Sequence, residues 1–242
     1  MLNGKSFLAI IPARGGSKRL PRKNVLDLAG KPLITWTLEA ARNSKYIDKI
    51  IVSSDDTEIL QIADDLRLDT VKRPEELASD SATTVSVIEH VLQQNLGKFD
   101  FIVLLQPTSP LRNADHIDEA IELIAQKNAD AIISVCETEH SPLWTNTLPE
   151  DGSMNFFLSG EVKNIRSQDL PQYFRLNGAI YIISVDVLNK SHTLLVDENS
   201  FAYKMTISDS VDVDTQLDFN IAEIQLNTNK LPWKNKENKQ RK

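Results

Sequence analysis

Phe7-Leu-Ala-Ile-Ile-Pro-Ala-Arg-Gly-Gly-Ser-Lys-Arg-Leu-Pro-Arg-Lys-Asn24 decides the reading of this chain. Its first five residues are a continuous apolar run that reads as a strand buried on both faces. Behind it, Arg14, Lys18, Arg19, Arg22 and Lys23 crowd ten positions. Gly15 and Gly16 free the backbone there to turn tightly and to approach a ligand. A flexible, cation-rich loop at the end of a strand suits a polyphosphate, on which amide N–H groups and positive side chains can converge. The spacing is neither a Walker A loop nor a Gly-x-Gly-x-x-Gly dinucleotide turn.

Outward from this stretch, strand and helix alternate. Short apolar runs give further strands over Lys49–Ser53, Phe101–Leu105 and Ala131–Val135. Helical stretches cover Leu33–Arg42, Thr57–Leu66, Thr84–Gln94 and His116–Gln126. This rhythm predicts an α/β fold, a Rossmann-like, mostly parallel sheet sandwiched by helices. It breaks near Pro142. Residues 142–176 mix Pro, Gly and Asn with short segments such as Met154–Phe157, read as an excursion from the sheet containing a hairpin and loop. Asn177–Val185 and Tyr203–Ile207 then read as strands and Thr215–Leu226 as a closing helix.

A chain of 242 residues with 41% hydrophobic and 25% charged residues can bury a core as one domain over 1–230. No apolar run approaches the roughly 20 residues of a membrane span. The N-terminus lacks the apolar segment of a secretory signal. With one cysteine, Cys136, in an apolar strand-like run, no intrachain disulfide is possible. These features lead us to expect a cytoplasmic protein without a membrane partner. The net charge is −7, yet residues 230–242 carry five Lys, one Arg and one Glu, so the body holds −12. An acidic body disfavours nucleic acid as a partner. The tail, residues 231–242, is polar and without apolar periodicity, and is expected to be a flexible terminus.

Two further stretches carry chemistry. Gln106-Pro-Thr-Ser-Pro-Leu-Arg112 offers an amide, two hydroxyls and a guanidinium on a loop stiffened by two prolines. Open α/β sheets bind ligands beyond the carboxyl ends of their strands, so this loop and residues 12–24 are expected to meet at one crevice. Asp212 and Asp214 form an Asp-x-Asp pair. Alternate positions of an extended segment project to one side, and Mg²⁺ takes one or two carboxylates together with phosphate oxygens and water. Asp209 and Asp218 read as capping or surface acids.

The first stretch resembles the nucleotide-binding loop of the cytidylyltransferases that activate nonulosonic acids, the CMP-N-acetylneuraminate synthetase (acylneuraminate cytidylyltransferase) family. The resemblance continues through Arg73-Pro-Glu-Glu-Leu-Ala-Ser-Asp80, Leu104–Arg112, Phe174-Arg-Leu-Asn-Gly-Ala-Ile-Tyr181 and Val211-Asp-Val-Asp-Thr215, nearly the whole chain from residue 7 to about 225. It implies a nucleotide-diphospho-sugar transferase fold and transfer of CMP from CTP to the anomeric hydroxyl of a nonulosonic acid, with pyrophosphate released. It assigns the triphosphate to Arg14, Lys18 and Lys23, and ribose or cytosine contacts to Asn24 and Arg73. Mg²⁺ falls to Asp212 and Asp214, and the sugar acid to Gln106, Ser109, Arg175, Asn177 and Tyr181. Arg112 either joins these contacts or braces the loop. The resemblance further implies a homodimer in which residues 142–176 cross to the partner and Arg166 enters the neighbouring site. The general base is open between Asp212 and a hydroxide on the metal, since no His stands in a matching block.

Leu194-Leu195 stands where several sialic acid enzymes carry an aromatic pair, and Trp144 where a basic residue is expected. N-Acetylneuraminate is therefore the first expectation for the sugar and N,N'-diacetyllegionaminate the alternative. A non-catalytic nucleotide-sugar-binding protein on the same fold is the alternative from outside enzymes. A Kdo cytidylyltransferase fits the Lys23-Asn24 loop ending and the Arg73 block less well.

Overall fold

The computed structural model describes residues 1–94 and 97–229. The basic tail expected over 231–242 lies outside the described residues. In chain order the elements are β1 (Phe7–Pro12), β2 (Asp27–Leu28), β3 (Lys31–Pro32), α1 (Leu33–Asn43), β4 (Lys49–Ser54), α2 (Thr57–Asp65), β5 (Asp69–Lys72) and α3 (Thr84–Leu92). There follow β6 (Phe101–Leu105), α4 (Ala114–Lys127), β7 (Ala131–Glu137), β8 (Phe174–Ser184), α5 (Val185–Ser191), β9 (Ser200–Lys204) and α6 (Gln216–Asn229).

Seven strands form one sheet in the order β5-β4-β1-β6-β8-β7-β9. β1 is an interior strand, parallel to its neighbours β4 and β6, and every residue from Phe7 to Ile11 is buried. Alternation along β1 divides the core. Phe7, Ala9 and Ile11 pack with Ile34 and Leu38 of α1, Ile59 of α2 and Ile121 of α4 on one face. Leu8 and Ile10 pack with Ile88 and Val91 of α3 and Leu188 of α5 on the other. The sandwich expected from the strand-helix rhythm is thus present. Only β8 runs antiparallel to its neighbours β6 and β7.

Several boundaries differ from the sequence reading. β5 was not expected, because of its four residues only Val71 is buried and no apolar run marks it. Residues 138–173 contain no strand, so the expected hairpin is absent. The segment holds single turns at Pro142–Trp144 and Ser167–Asp169. Its apolar side chains Leu148, Met154 and Phe156 are exposed and do not alternate against a partner strand. The last strand begins at Ser200, earlier than Tyr203, because β9 pairs in parallel with β7 from Ala131 opposite Ser200.

A bulge interrupts β8. Ile133 faces Tyr181, but Val135 faces Leu176, so β8 has extra residues over this span. Gly178 lies in it at φ +75°, a left-handed conformation suited to glycine. The buried Asn177 pins the bulge. It accepts from Ser134 Oγ (2.6 Å) and Ala179 N (3.2 Å) and donates to Ser210 Oγ (2.8 Å).

Candidate active site

The loops after β1, β5 and β6, the bulge of β8 and residues 212–214 enclose a cleft of about 630 Å³. It opens beyond the carboxyl ends of the central strands, where an open α/β sheet places its ligands. Arg14, Lys18, Lys23, Asn24, Arg73, Gln106, Tyr181, Asp212 and Asp214 all line it. The structure therefore brings together nine side chains that the sequence singled out.

The basic loop is held in shape from several sides. A Cβ on Gly15 would stand 2.6 Å from the Asp56 carboxylate, so this position requires glycine for close approach, whereas Gly16 faces open space. Gly15 N donates to Asp55 Oδ1 at 3.2 Å. Asp56 caps α2 through Glu58 N and Ile59 N and also takes Arg22. Asn24, buried beneath the loop, donates to the Arg14 carbonyl at 3.0 Å, and its Oδ1 has no partner among the described residues. Arg73 is buried and ties Ser53 O (2.7 Å) to Leu77 O (3.2 Å), and burial holds its pKa below the usual value.

The acidic wall is fixed by a small apolar cluster. Val213 is fully buried with Leu20, Leu28, Leu111 and Phe219, so its neighbours Asp212 and Asp214 turn to the cleft. Val213 N donates to Thr108 O at 2.8 Å. Thr215 and Asp218 form a reciprocal cap at the start of α6: Thr215 N donates to Asp218 Oδ2 (2.7 Å) and Asp218 N to Thr215 Oγ1 (3.4 Å). The expectation of a capping role for Asp218 agrees with this geometry. Asp209 accepts from Thr206 Oγ1 at 2.6 Å, close to His116.

The two aspartates have different surroundings. Asp214 takes Lys23 at 2.8 Å and Arg19 at 2.9 Å. Burial raises the pKa of Asp212, an effect opposed by a hydrogen bond from Thr108. The same burial, with the Asp212 charge nearby, raises Tyr181. Asp80, which the sequence reading quoted only as part of a block, pairs with both Arg14 (2.8 Å) and Lys18, and these bonds lower its pKa. No local pattern marks Asp80, since its partners lie more than sixty residues away.

Four expected sugar contacts do not line the cleft of this chain. Ser109 is buried, with its hydroxyl unpartnered among the described residues. Asn177 is spent on the β8 bulge. Arg175 forms a two-point pair with Glu139 (2.7 and 3.3 Å). Arg166 is largely exposed on the excursion and pairs with Asp169 at 2.8 Å. Arg112 braces: it is 1% exposed, donates to Thr37 Oγ1 at 2.7 Å, and burial pushes its pKa down to about 9. Among the described residues no group of three or more His, Cys, Asp or Glu is gathered for a metal.

Comparison with known proteins gives a consistent picture. The N-acylneuraminate cytidylyltransferase of Streptococcus agalactiae serotype V is 38% identical over 214 residues, covering 88% of this chain and 51% of that protein. The chain thus spans about half the length of these relatives. The CMP-N,N'-diacetyllegionaminic acid synthase of Legionella pneumophila is 34% identical over 227 residues, covering 90% of this chain and 94% of that one. A solved CMP:2-keto-3-deoxy-manno-octonic acid synthetase, complexed with CTP, superposes with a TM-score of 0.71 at 17% identity, covering 93% of this chain and 99% of that chain, and so shares the fold. The family model described as cytidylyltransferase matches residues 8–227, a span that takes in every element from β1 to most of α6, and the chain accordingly belongs to that family.

Proposed function

We propose that this protein transfers CMP from CTP to the anomeric hydroxyl of a nonulosonic acid, N-acetylneuraminate in the first instance, and releases pyrophosphate. The observation that carries this is the shared cleft: Arg14, Lys18 and Lys23 line it together with Asp212 and Asp214. Such a displacement depends on charge neutralisation and alignment more than on covalent help. Arg14, Lys18 and Lys23 hold the triphosphate. Asn24, whose Oδ1 has no partner among the described residues, lies at the ribose end of the cleft, and Arg73 forms the cytosine end.

The acceptor enters on the Gln106 and Tyr181 side. Its hydroxyl oxygen bonds to the α-phosphorus while the bond from that phosphorus to the bridging oxygen breaks, and the β- and γ-phosphates leave as pyrophosphate. Among the described residues no histidine lines the cleft. Of the carboxylates there, Asp212 is the most enclosed and is assigned the hydroxyl proton through an oxygen that is not given to the cation.

Asp212 and Asp214 also fit a Mg²⁺ ion. Two carboxylates in one tripeptide line one wall, and the charge of Asp214 helps raise the pKa of Asp212, a strain that a cation relieves. Two protein carboxylates completed by substrate phosphates and water are the donor set Mg²⁺ favours. When bound, the ion neutralises charge that builds on the phosphate oxygens.

The working form is proposed to be a homodimer. Leu148, Met154, Phe156 and Ile165 on residues 138–173, with Phe174 and Leu176 at the start of β8, expose apolar surface of the kind that marks an interface. Arg166, outside its own cleft, would then serve the neighbouring one. A fully active monomer by light scattering at micromolar concentration would overturn this. No described helix is long and apolar enough to cross a membrane, and Cys136 is a buried free thiol. We place the reaction in the cytoplasm.

The decisive experiment is pyrophosphate release from CTP with Mg²⁺ and a panel of nonulosonic acids. Release dependent on N-acetylneuraminate is expected. CTP binding without release under any acceptor would indicate a non-catalytic nucleotide-sugar-binding protein. The second reading, N,N'-diacetyllegionaminate as the better acceptor, is supported by Leu194 and Tyr181 packing against the same core cluster, with no aromatic pair at 194–195, and by the near full-length match to the Legionella relative.

A further inference from the structure

Asp80 is the feature of the cleft that transfer chemistry leaves unused. It lies in the turn between β5 and α3, where Ala82 N bonds to Ser79 O (3.3 Å) and Ser79 Oγ bonds to Glu76 O (2.8 Å). The next helix is capped by Thr83. This fixed turn presents the Asp80 carboxylate to the cleft. One oxygen, Oδ1, takes Arg14 at 2.8 Å, and the other, Oδ2, takes Lys18. A carboxylate placed so that each oxygen meets one cation occupies those donors as a phosphate group would.

Each cation can serve one close anion at full strength. With Asp80 in place, a triphosphate meets a like charge and two donors already engaged. We propose that Asp80 is a positioning residue that holds Arg14 and Lys18 in the cleft in place of phosphate, yields them to the triphosphate of CTP, and retakes them to expel pyrophosphate. This rests on the CTP reading above and adds to it a device for product release. Asp80 acts through Arg14 and Lys18 and touches no reacting atom.

Inorganic pyrophosphate is the direct probe, titrated calorimetrically into the full chain and into Asp80→Asn, Asp80→Glu, Arg14→Ala/Lys18→Ala and the triple variant that adds Asp80→Asn to the last. Asp80 is half exposed, so each ion pair contributes little, on the order of a few-fold in affinity. Asp80→Asn is expected to bind pyrophosphate about fivefold or more tighter than wild type, and Asp80→Glu to stay near wild type. In the background lacking Arg14 and Lys18 the gain should vanish, which a merely structural role would not produce. In turnover, Asp80→Asn should lower KM for CTP and lower kcat, with stronger pyrophosphate inhibition. Unchanged or weaker pyrophosphate binding in Asp80→Asn overturns the proposal, as does a gain that persists without Arg14 and Lys18, or a wild type that does not bind pyrophosphate. A wild type that binds pyrophosphate but forms no CMP-sugar would instead sink the transfer reading.

Discussion

Lys23 Nζ stands 2.8 Å from an oxygen of Asp214, a residue 191 positions away, and donates to the neighbouring Val213 carbonyl at the same distance. One ammonium group thus joins the phosphate loop to the acidic wall, and its side chain is only 13% exposed.

Lys23→Ala should act on both sides of the cleft. A charge-assisted hydrogen bond contributes about 1.5–3 kcal/mol, so kcat/KM for CTP should fall roughly tenfold to over a hundredfold. Arg14→Ala, on the more exposed edge, should fall less. Steady-state kinetics on folded variants, with wild-type values in Lys23→Ala, would remove it from the phosphate cradle.

Asp214→Asn keeps shape and removes a charge, and should lose most activity while its melting temperature stays near wild type. Asp212→Asn should do the same. The check is a Mg²⁺ titration of each variant, and an unchanged Mg²⁺ dependence in both would place the metal elsewhere.

Asn177→Ala should damage the fold rather than only the kinetics. It strips Ser134, Ser210 and Ala179 of a buried partner, and buried polar groups left unsatisfied cost about 1–3 kcal/mol each at most. A loss of about 2–4 kcal/mol in urea unfolding is expected. A stable variant with a raised KM for the sugar would restore Asn177 as a direct contact.

Asp100 supplies a pH test outside the cleft. Lys5, then Ser6 N and Ser6 Oγ, hold its pKa down to about 2. A depressed carboxylate stabilises the fold above its unfolded pKa near 4, and that contribution is lost as pH falls toward 2. Allowing for solvent screening, Asp100→Asn should cost about 1 kcal/mol at pH 7. The difference from wild type should shrink between pH 4 and pH 2, and a difference that stays constant across that range would refute it.

Leu194 packs in the cluster that includes Tyr181, while Leu195 is half exposed. Leu194→Phe/Leu195→Phe should therefore shift the ratio of kcat/KM for N-acetylneuraminate over a 5,7-diacylamino nonulosonate, by about 1–3 kcal/mol at most. An unchanged ratio would show that these leucines do not shape the acyl pocket.

How much of this was legible beforehand depended on how local the signal is. The Phe7–Ile11 run and the cations behind it announce themselves within a few residues, and the buried β1 and the cleft wall follow. The Val213 alternation was equally local, and it does turn Asp212 and Asp214 to one side. The antiparallel course of β8 was not legible, because strand direction depends on pairing with β6 and β7 rather than on composition. Asp80 was missed for the same reason: its partners Arg14 and Lys18 are distant in sequence. Ser109 and Asn177 show the converse, since a polar residue inside a matching block can serve the scaffold that carries the site.

The place of β8 also bears on how the chain is made. β6 and β7 precede it in sequence, yet β8 lies between them. A ribosome that has released residues up to 170 has therefore produced two strands with a gap in the middle of the sheet and unpaired edges on both sides. Such edges invite pairing with other chains. The tyrosine and glycine side of the cleft closes only when residues 174–184 arrive, and the acidic wall that Lys23 joins only when residues 212–214 follow, so the basic loop is made long before either wall it faces.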